Sequence, residues 1–177
     1  ESGGKLMCCG NGGSCADCDH IVGELMKGFM RKRNVGDDFC ERLRSISCAE
    51  SEFICENLQG ALPAISLSAH TAVLTAFSND VNADTVYAQM VYGYGNKSDV
   101  LLCVSTSGNS KNVVYAAYTA KAMGIKTIAL TGKTGGSLLD ICDVTINVPE
   151  TETYRVQELH LPVYHYLCSE TEKHFFD

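Results

Sequence analysis

The chain is 177 residues long, which is enough for one domain with a single sizeable hydrophobic core. Its 45% hydrophobic and 20% charged residues are typical of a soluble globular protein, and no apolar run approaches the ~20 residues that cross a bilayer. The net charge of −7 argues against nucleic acid or an anionic membrane as a partner, because both bind surfaces rich in Lys and Arg. We therefore expect a soluble, cytoplasmic protein.

Strands and helices are predicted to alternate along the chain. Apolar runs predict strands at 5–9, 64–67, 100–104, 126–130 and 144–148. Helices are predicted at about 14–31, 83–94, 111–123 and 153–176, the last kinked or irregular at Pro162. The charged segment 34–62 predicts one or two short helices, inserted within a single domain at 1–177. This alternation indicates an α/β fold whose parallel sheet is covered by helices on both faces.

The ten cysteines fall short of the density of a disulfide scaffold. Cys15 and Cys18 form a C-x-x-C pair, which is compatible with a redox motif or with half of a zinc site. A second C-x-x-C pair, which would complete a zinc ribbon, is missing from the sequence. We therefore predict structural thiols, and abundant unpaired cysteine is typical of a reducing compartment.

Two predicted strand-to-helix loops are rich in small polar residues. The first, at 10–14, reads Gly-Asn-Gly-Gly-Ser, and the second, at 105–110, reads Ser-Thr-Ser-Gly-Asn-Ser. In a parallel sheet such loops lie at the carboxyl ends of strands, and each leads into a helix N-terminus that favours an anion. The two loops predict a phosphate site with candidate ligands at Asn11, Gly12, Gly13, Ser14, Ser105, Thr106, Ser107 and Ser110.

Other interpretations of these loops fit less well. They would be ordinary turns with Ser or Asn helix caps if only one were present, but two such loops favour anion binding. A dinucleotide site would need the full G-x-G-x-x-G spacing and an acidic residue at the end of a following strand. A P-loop is excluded because no Gly-Lys-Ser or Gly-Lys-Thr follows the glycines of the first loop.

Residues along nearly the whole chain carry a family resemblance. Besides the two loops they are Asp19-His20, Glu24-Leu25, Pro63-Ala64-Ile65, Asn79-Asp80, Leu130-Thr131-Gly132-Lys133, and Arg155-Val156-Gln157-Glu158 through His165. In this order they resemble the phosphoheptose isomerase branch of the SIS (sugar isomerase) family. The serine-rich loop is typical of SIS domains in general, whereas His20 and Glu24 together with Gln157 and His165 are more specific.

The resemblance implies a flavodoxin-like, doubly wound sheet and a homotetramer whose active sites are shared between neighbouring subunits. It adds Asn79, Asp80 and Gln157 to the substrate-binding residues. It also implies a metal site, often zinc, formed by His20, Glu24, Gln157 and His165. The residue types agree with this, because His20 and Glu24, four apart, share one helix face, and two His with a carboxylate suit zinc.

The reaction implied by the resemblance is a ketose–aldose isomerisation of sedoheptulose 7-phosphate through an enediol. Glu24 is then the base and His165 the acid, while a metal, or Gln157 and Thr106, polarises the carbonyl. We expect the role of Glu24 to need a raised pKa, supplied by partial burial beside apolar neighbours.

Two alternatives remain open at this point. One is a non-catalytic SIS protein that binds a phosphosugar and reports it to a partner. The other is an isomerase of a different sugar phosphate, because His70 and Tyr154 stand where the family commonly has Asp. The segment 34–62 is also longer than is typical of the family.

Overall fold

The computed structural model describes residues 2–176, which form one five-stranded parallel sheet with helices on both faces. The strands are β1 (Leu6–Cys9), β2 (Ala64–Ser66), β3 (Val100–Ser105), β4 (Lys126–Thr131) and β5 (Val144–Asn147). Their order across the sheet is β2-β1-β3-β4-β5. The central neighbours β1 and β3 pair in parallel from Leu6 with Val100 to Cys9 with Cys103, so their carboxyl ends lie side by side. This confirms the predicted doubly wound α/β class.

Eight α-helices connect and cover the strands in the described part of the chain. They are α1 (Gly13–Met26), α2 (Asp37–Ile46), α3 (Cys48–Asn57), α4 (Thr71–Phe77), α5 (Val86–Tyr94), α6 (Lys111–Ala122), α7 (Leu138–Ile141) and α8 (Thr153–Phe176). Short 3₁₀ turns at Leu67–Ala69 and Ala83–Thr85 and a π-helical turn at Ser78–Asn82 complete the structure. Within residues 2–176, none of the helices combines the length and the apolar character that crossing a membrane requires.

The core has two layers, one on each face of the sheet. Alternate residues of β3 point to opposite faces, with Leu101 and Cys103 on one and Leu102 and Val104 on the other. The first layer packs against α5, α6 and α7, and the second against α1 and α8. Because α1 and α8 share the second layer, the packing of that layer sets the relative position of their side chains.

Several predicted bounds change in the structure. Helix α1 ends at Met26 and not near residue 31, because the backbone of Lys27 is extended at φ −137° and ψ 173°. Helix α5 starts at Val86, after a 3₁₀ turn that is capped by the Asn82 side chain. Helix α8 has the predicted bounds and continues through Pro162, which lies well inside it and does not mark its start. Helices α4 and α7 were not predicted from the sequence.

The segment 34–62 forms the expected pair of short helices, α2 and α3. Cys40 on α2 and Cys55 on α3 are joined by a disulfide with a Cα–Cα distance of 6.0 Å, which departs from the prediction of unpaired thiols. Cys18 of the C-x-x-C pair is fully buried, and its neighbour in the core is Cys8. The side chain of Cys18 therefore packs as a small hydrophobe, as predicted for a structural thiol.

Candidate active site

A polar cavity of about 370 Å³ opens where β1 and β3 end side by side. Its lining contains every predicted phosphate ligand except Ser107, and it adds Val104, Thr153 and Gln157. Helices α1 and α6 both begin at this cavity. Their dipoles and the free N–H groups of their first turns therefore favour a bound anion there. The hydroxyl oxygens of Ser105 and Ser110 lie 3.2 Å apart within it.

The first loop is held in place by side chains that the sequence analysis did not identify. Asn11 and Asn112 exchange two amide hydrogen bonds, both of 2.9 Å, which join the loop to the first turn of α6. The Tyr87 hydroxyl donates to the carbonyl of Gly10 over 2.6 Å. Gly12 has φ +56°, a left-handed conformation that glycine adopts at no steric cost. These contacts fix the shape of the cavity before any ligand arrives.

Three predicted substrate ligands do not line this cavity. Ser107 is exposed at the tip of its loop, where its hydroxyl accepts from the N–H of Asn109 over 3.2 Å. Asn79 and Asp80 lie in the exposed π-helical turn, and the Asn79 amide donates to Asp80 over 2.8 Å. The hydroxyl donors that line the cavity are those of Ser14, Ser105, Thr106, Ser110 and Thr153.

A second cluster, formed by His20, Glu24 and His165, lies between α1 and α8. His20 Nε2 is 3.2 Å from Glu24 Oε1, and the imidazole rings of His20 and His165 meet edge to face with centroids 5.1 Å apart. The Tyr164 hydroxyl lies 2.9 Å from His20 Nδ1. The structure therefore brings together both predicted proton-transfer residues and the two predicted histidine metal ligands.

The pKa of Glu24 lies below its ordinary value. The main cause is the hydrogen bond from the Lys27 ammonium, whose Nζ is 2.8 Å from Glu24 Oε2, and His20 adds to the effect. Burial of the Glu24 side chain, which is 13% exposed, acts in the opposite direction and is outweighed. The expectation of a raised pKa is therefore wrong, and Glu24 is ionised near neutral pH, the form in which a carboxylate accepts a proton.

Buried Tyr164 and half-buried Asp17 lie near the His20 ring. Burial raises the pKa of Tyr164 to about 12, so its hydroxyl stays protonated at neutral pH. Burial also raises the pKa of the Asp17 carboxyl, although the nearby Tyr164 hydroxyl and His20 partly offset this effect. Asp17 lies three residues before His20, on the same side of α1, so helical periodicity would have identified it, whereas Tyr164 reaches His20 only through packing of the two helices.

The fit of this cluster to a metal ion is partial. Among residues 2–176, no three His, Cys, Asp or Glu side chains form a metal-holding group as they stand. Gln157 lines the cavity instead, eight residues or roughly 12 Å of helical rise before His165 on α8. His165 Nε2, however, is buried and has no hydrogen-bond partner in the described part of the chain. His165 lies beside His20, which contacts Glu24, and imidazole nitrogens with a carboxylate are donors that zinc takes.

The positions that depart from the family pattern lie outside the cavity lining. His70 stacks beside Tyr94 with ring centroids 5.4 Å apart, and its Nε2 is buried without a partner in the described residues. Tyr154 is 57% exposed, and its hydroxyl accepts from Arg155 Nε over 3.0 Å. His160 is fully buried, and burial lowers its pKa, so it is neutral at neutral pH.

The doubly wound parallel sheet is the architecture of a SIS domain, and the family model described as "SIS domain" matches residues 54–132. A curated phosphoheptose isomerase from a Nitratiruptor species is 42% identical over 171 residues, which are 97% of this chain and 78% of that protein. This chain belongs to the phosphoheptose isomerase family.

Solved structures of family members agree with the fold described above. The phosphoheptose isomerase of Neisseria gonorrhoeae superposes with a TM-score of 0.75 at 33% identity, covering 96% of this chain and 77% of that one. That of Francisella tularensis gives a TM-score of 0.73 at 30% identity, covering 94% of this chain and 74% of that one. The resemblance predicted from the sequence is thereby confirmed.

Proposed function

We propose that this protein interconverts sedoheptulose 7-phosphate and an aldoheptose 7-phosphate by proton transfer. The observation that carries the proposal is that Glu24 and His165 both contact His20, in a chain of the phosphoheptose isomerase family. The cavity at the ends of β1 and β3 supplies neutral donors and two helix N-termini for the phosphate. This arrangement gives the acidic protein an anion site without a lysine or arginine in the cavity lining.

In this reaction the ionised carboxylate of Glu24 removes the proton from the carbon next to the carbonyl, and it returns the proton to the adjacent carbon. His165 holds the proton that the two oxygens exchange. Thr106 and Gln157, both in the cavity lining, orient the sugar beyond its phosphate. The Tyr164 hydroxyl fixes the His20 ring by its contact with Nδ1.

The proposal includes a zinc ion held by His20, Glu24 and His165, with Gln157 as the fourth protein ligand. Its support is the unpaired Nε2 of His165 beside two suitable donors, together with the family resemblance. When bound, such an ion polarises the substrate carbonyl as a Lewis acid.

We also propose a cytoplasmic homotetramer with active sites shared between subunits. Exposed aromatic side chains at Tyr92 (70%), Tyr118 (56%) and Tyr166 (64%) supply apolar surface for self-association. The sharing of active sites between subunits is carried over from the family resemblance. Sedimentation equilibrium tests the assembly, and a monomer at micromolar concentration would contradict it.

The function is tested by NMR of the zinc-loaded protein with a panel of ketose phosphates of five, six and seven carbons. We expect aldose formation to be fastest with sedoheptulose 7-phosphate. Faster turnover of a shorter sugar would assign another substrate. This alternative stands because His70 and Tyr154 replace residues that are commonly Asp in the family. Tight binding without any turnover would establish a non-catalytic phosphosugar-binding protein.

A further inference from the structure

Arg33, in the loop that follows α1, forms a buried ion pair with Glu172 of α8, outside both clusters. Arg33 and Glu172 are 1% and 0% exposed, and Arg33 Nε donates to Glu172 Oε1 over 2.8 Å. Residues 27–36 form neither helix nor strand, so their path depends on such tertiary contacts. Replacing a buried ion pair by apolar residues is often neutral or stabilising, so stability alone explains this pair poorly.

The two side chains of the ion pair form hydrogen bonds with backbone groups before and after the C-terminal end of α1. Glu172 accepts the N–H groups of Phe29 and Met30 over 2.8 and 2.7 Å. Arg33 Nη1 and Nη2 donate to the carbonyls of Leu25 and Glu24 over 2.7 and 3.2 Å, which caps the helix at the residue assigned as the base. We define these contacts of Arg33 and Glu172 as the clamp.

Through the clamp, Phe29 is placed against His165. The two rings have centroids 5.6 Å apart and are tilted by 38°. Glu172 follows His165 by seven residues on α8, so the carboxylate that holds Phe29 and the imidazole that Phe29 contacts lie on one helix face. His165 Nε2 has no hydrogen-bond partner among residues 2–176, so ring contacts contribute strongly to its orientation.

We infer that Phe29 is a positioning residue for His165 and that the Arg33–Glu172 clamp keeps it there. The predicted effect on turnover rests on the proposed isomerase function, because His165 acts there as the acid. The effect on the orientation of the His165 ring does not depend on that function.

The test compares Phe29→Ala with Met30→Ala. Met30 is a matched control because its N–H is held by the same carboxylate while its side chain is 70% exposed. We expect Phe29→Ala to lower kcat by roughly tenfold or more with KM within about twofold of the parent, since small misplacements of a catalytic group are costly. Met30→Ala should match the parent, and Phe29→Tyr, which keeps the ring, should restore most of kcat.

The second measurement uses metal-free protein with ¹³C-labelled histidine. The His165 ring resonance, assigned with His165→Gln, should broaden or shift in Phe29→Ala and stay unchanged in Met30→Ala. If Phe29→Ala does not fold, Phe29→Leu, which keeps apolar volume but removes the ring, should give a smaller change of the same resonance. A parent-like kcat and an unchanged His165 resonance would overturn the inference. A parent protein without turnover would overturn the proposed function alone, and the resonance would still decide the role of Phe29.

Discussion

His20 on α1 and His165 on α8 place their imidazole rings edge to face with centroids 5.1 Å apart. The contact exists because both helices pack on the same face of the sheet through a shared apolar layer that includes Ile21, Leu25 and Cys168. The chemistry of the cluster therefore depends on the core beneath it.

Replacing Glu24 by Gln should separate binding from catalysis. Gln keeps the size of Glu and its hydrogen-bonding capacity but cannot act as a base, so turnover should fall by ~100-fold or more while phosphosugar affinity stays similar. The measurement is solvent-deuterium incorporation at the carbon next to the substrate carbonyl, followed by NMR. Equal exchange in Glu24→Gln and the parent would assign the base elsewhere.

Ser110→Ala should weaken phosphate binding. The Ser110 hydroxyl lies in the cavity 3.2 Å from that of Ser105, and a hydrogen bond to a charged group contributes about 1–2 kcal/mol. Calorimetry with inorganic phosphate and with sedoheptulose 7-phosphate measures the loss. Ser45→Ala is the control, because the Ser45 hydroxyl bonds the Arg42 carbonyl on the exposed surface of α2. Equal affinity in the parent, Ser110→Ala and Ser45→Ala would mean that the phosphate binds outside this cavity.

Zinc should bind in stoichiometric amounts and raise the melting temperature of the parent protein. In the His20→Ala, His165→Ala double variant we expect zinc content and the melting shift to be lost, as metal analysis and calorimetry would show. Cys15→Ser with Cys18→Ser should leave both unchanged. Zinc retained by the histidine double variant and lost from the cysteine one would relocate the metal to the C-x-x-C pair.

Asp143 should contribute stability that disappears in acid. Hydrogen bonds from Lys121 and from the Thr127 backbone lower its pKa to about 2 from 3.8, so its charged form stabilises the fold. This contribution is complete above the ordinary pKa and is lost as pH falls toward 2. Urea unfolding should show Asp143→Asn less stable than the parent at pH 7, with a smaller gap at pH 3. Asp140→Asn, at an exposed position on α7, is the control, and a gap for Asp143→Asn that is constant with pH would contradict the assignment.

Two glycine substitutions should have opposite effects on the free energy of unfolding. Gly108 has φ +67°, and an added Cβ would overlap the carbonyl of Gly135, so Gly108→Ala should lower stability by more than about 1 kcal/mol. Gly23 lies within α1 with open space around it, so Gly23→Ala should raise stability by about 0.5–1 kcal/mol. Denaturant unfolding measures both values. A destabilised Gly23→Ala would mean that this surface of α1 is covered in the assembled protein.

The parts of the candidate site that the structure brings together as expected have local signals in the sequence. Glycine and serine runs after an apolar strand identify an anion-binding loop, because strand, turn and helix N-terminus follow one another within a few residues. The four-residue spacing of His20 and Glu24 likewise places both side chains on one face of a helix. The contact of Lys27 with Glu24 could also have been predicted from the sequence, because the two residues are three apart on the chain. This contact reverses the expected pKa shift of Glu24.

The sequence by itself determined the alternation of strands and helices, the two loops, and the residues able to transfer protons. The first two follow from side-chain periodicity and turn chemistry over short stretches, whereas the proton-transfer roles of Glu24 and His165 are implied by the family resemblance. Only the tertiary structure decided that Tyr164 contacts His20, that Asn112 pairs with Asn11, and that Glu172 reaches across to Phe29. Those contacts depend on how α1, α6 and α8 pack on the sheet. Packing is set by the fit of many buried side chains at once, and no local pattern encodes it.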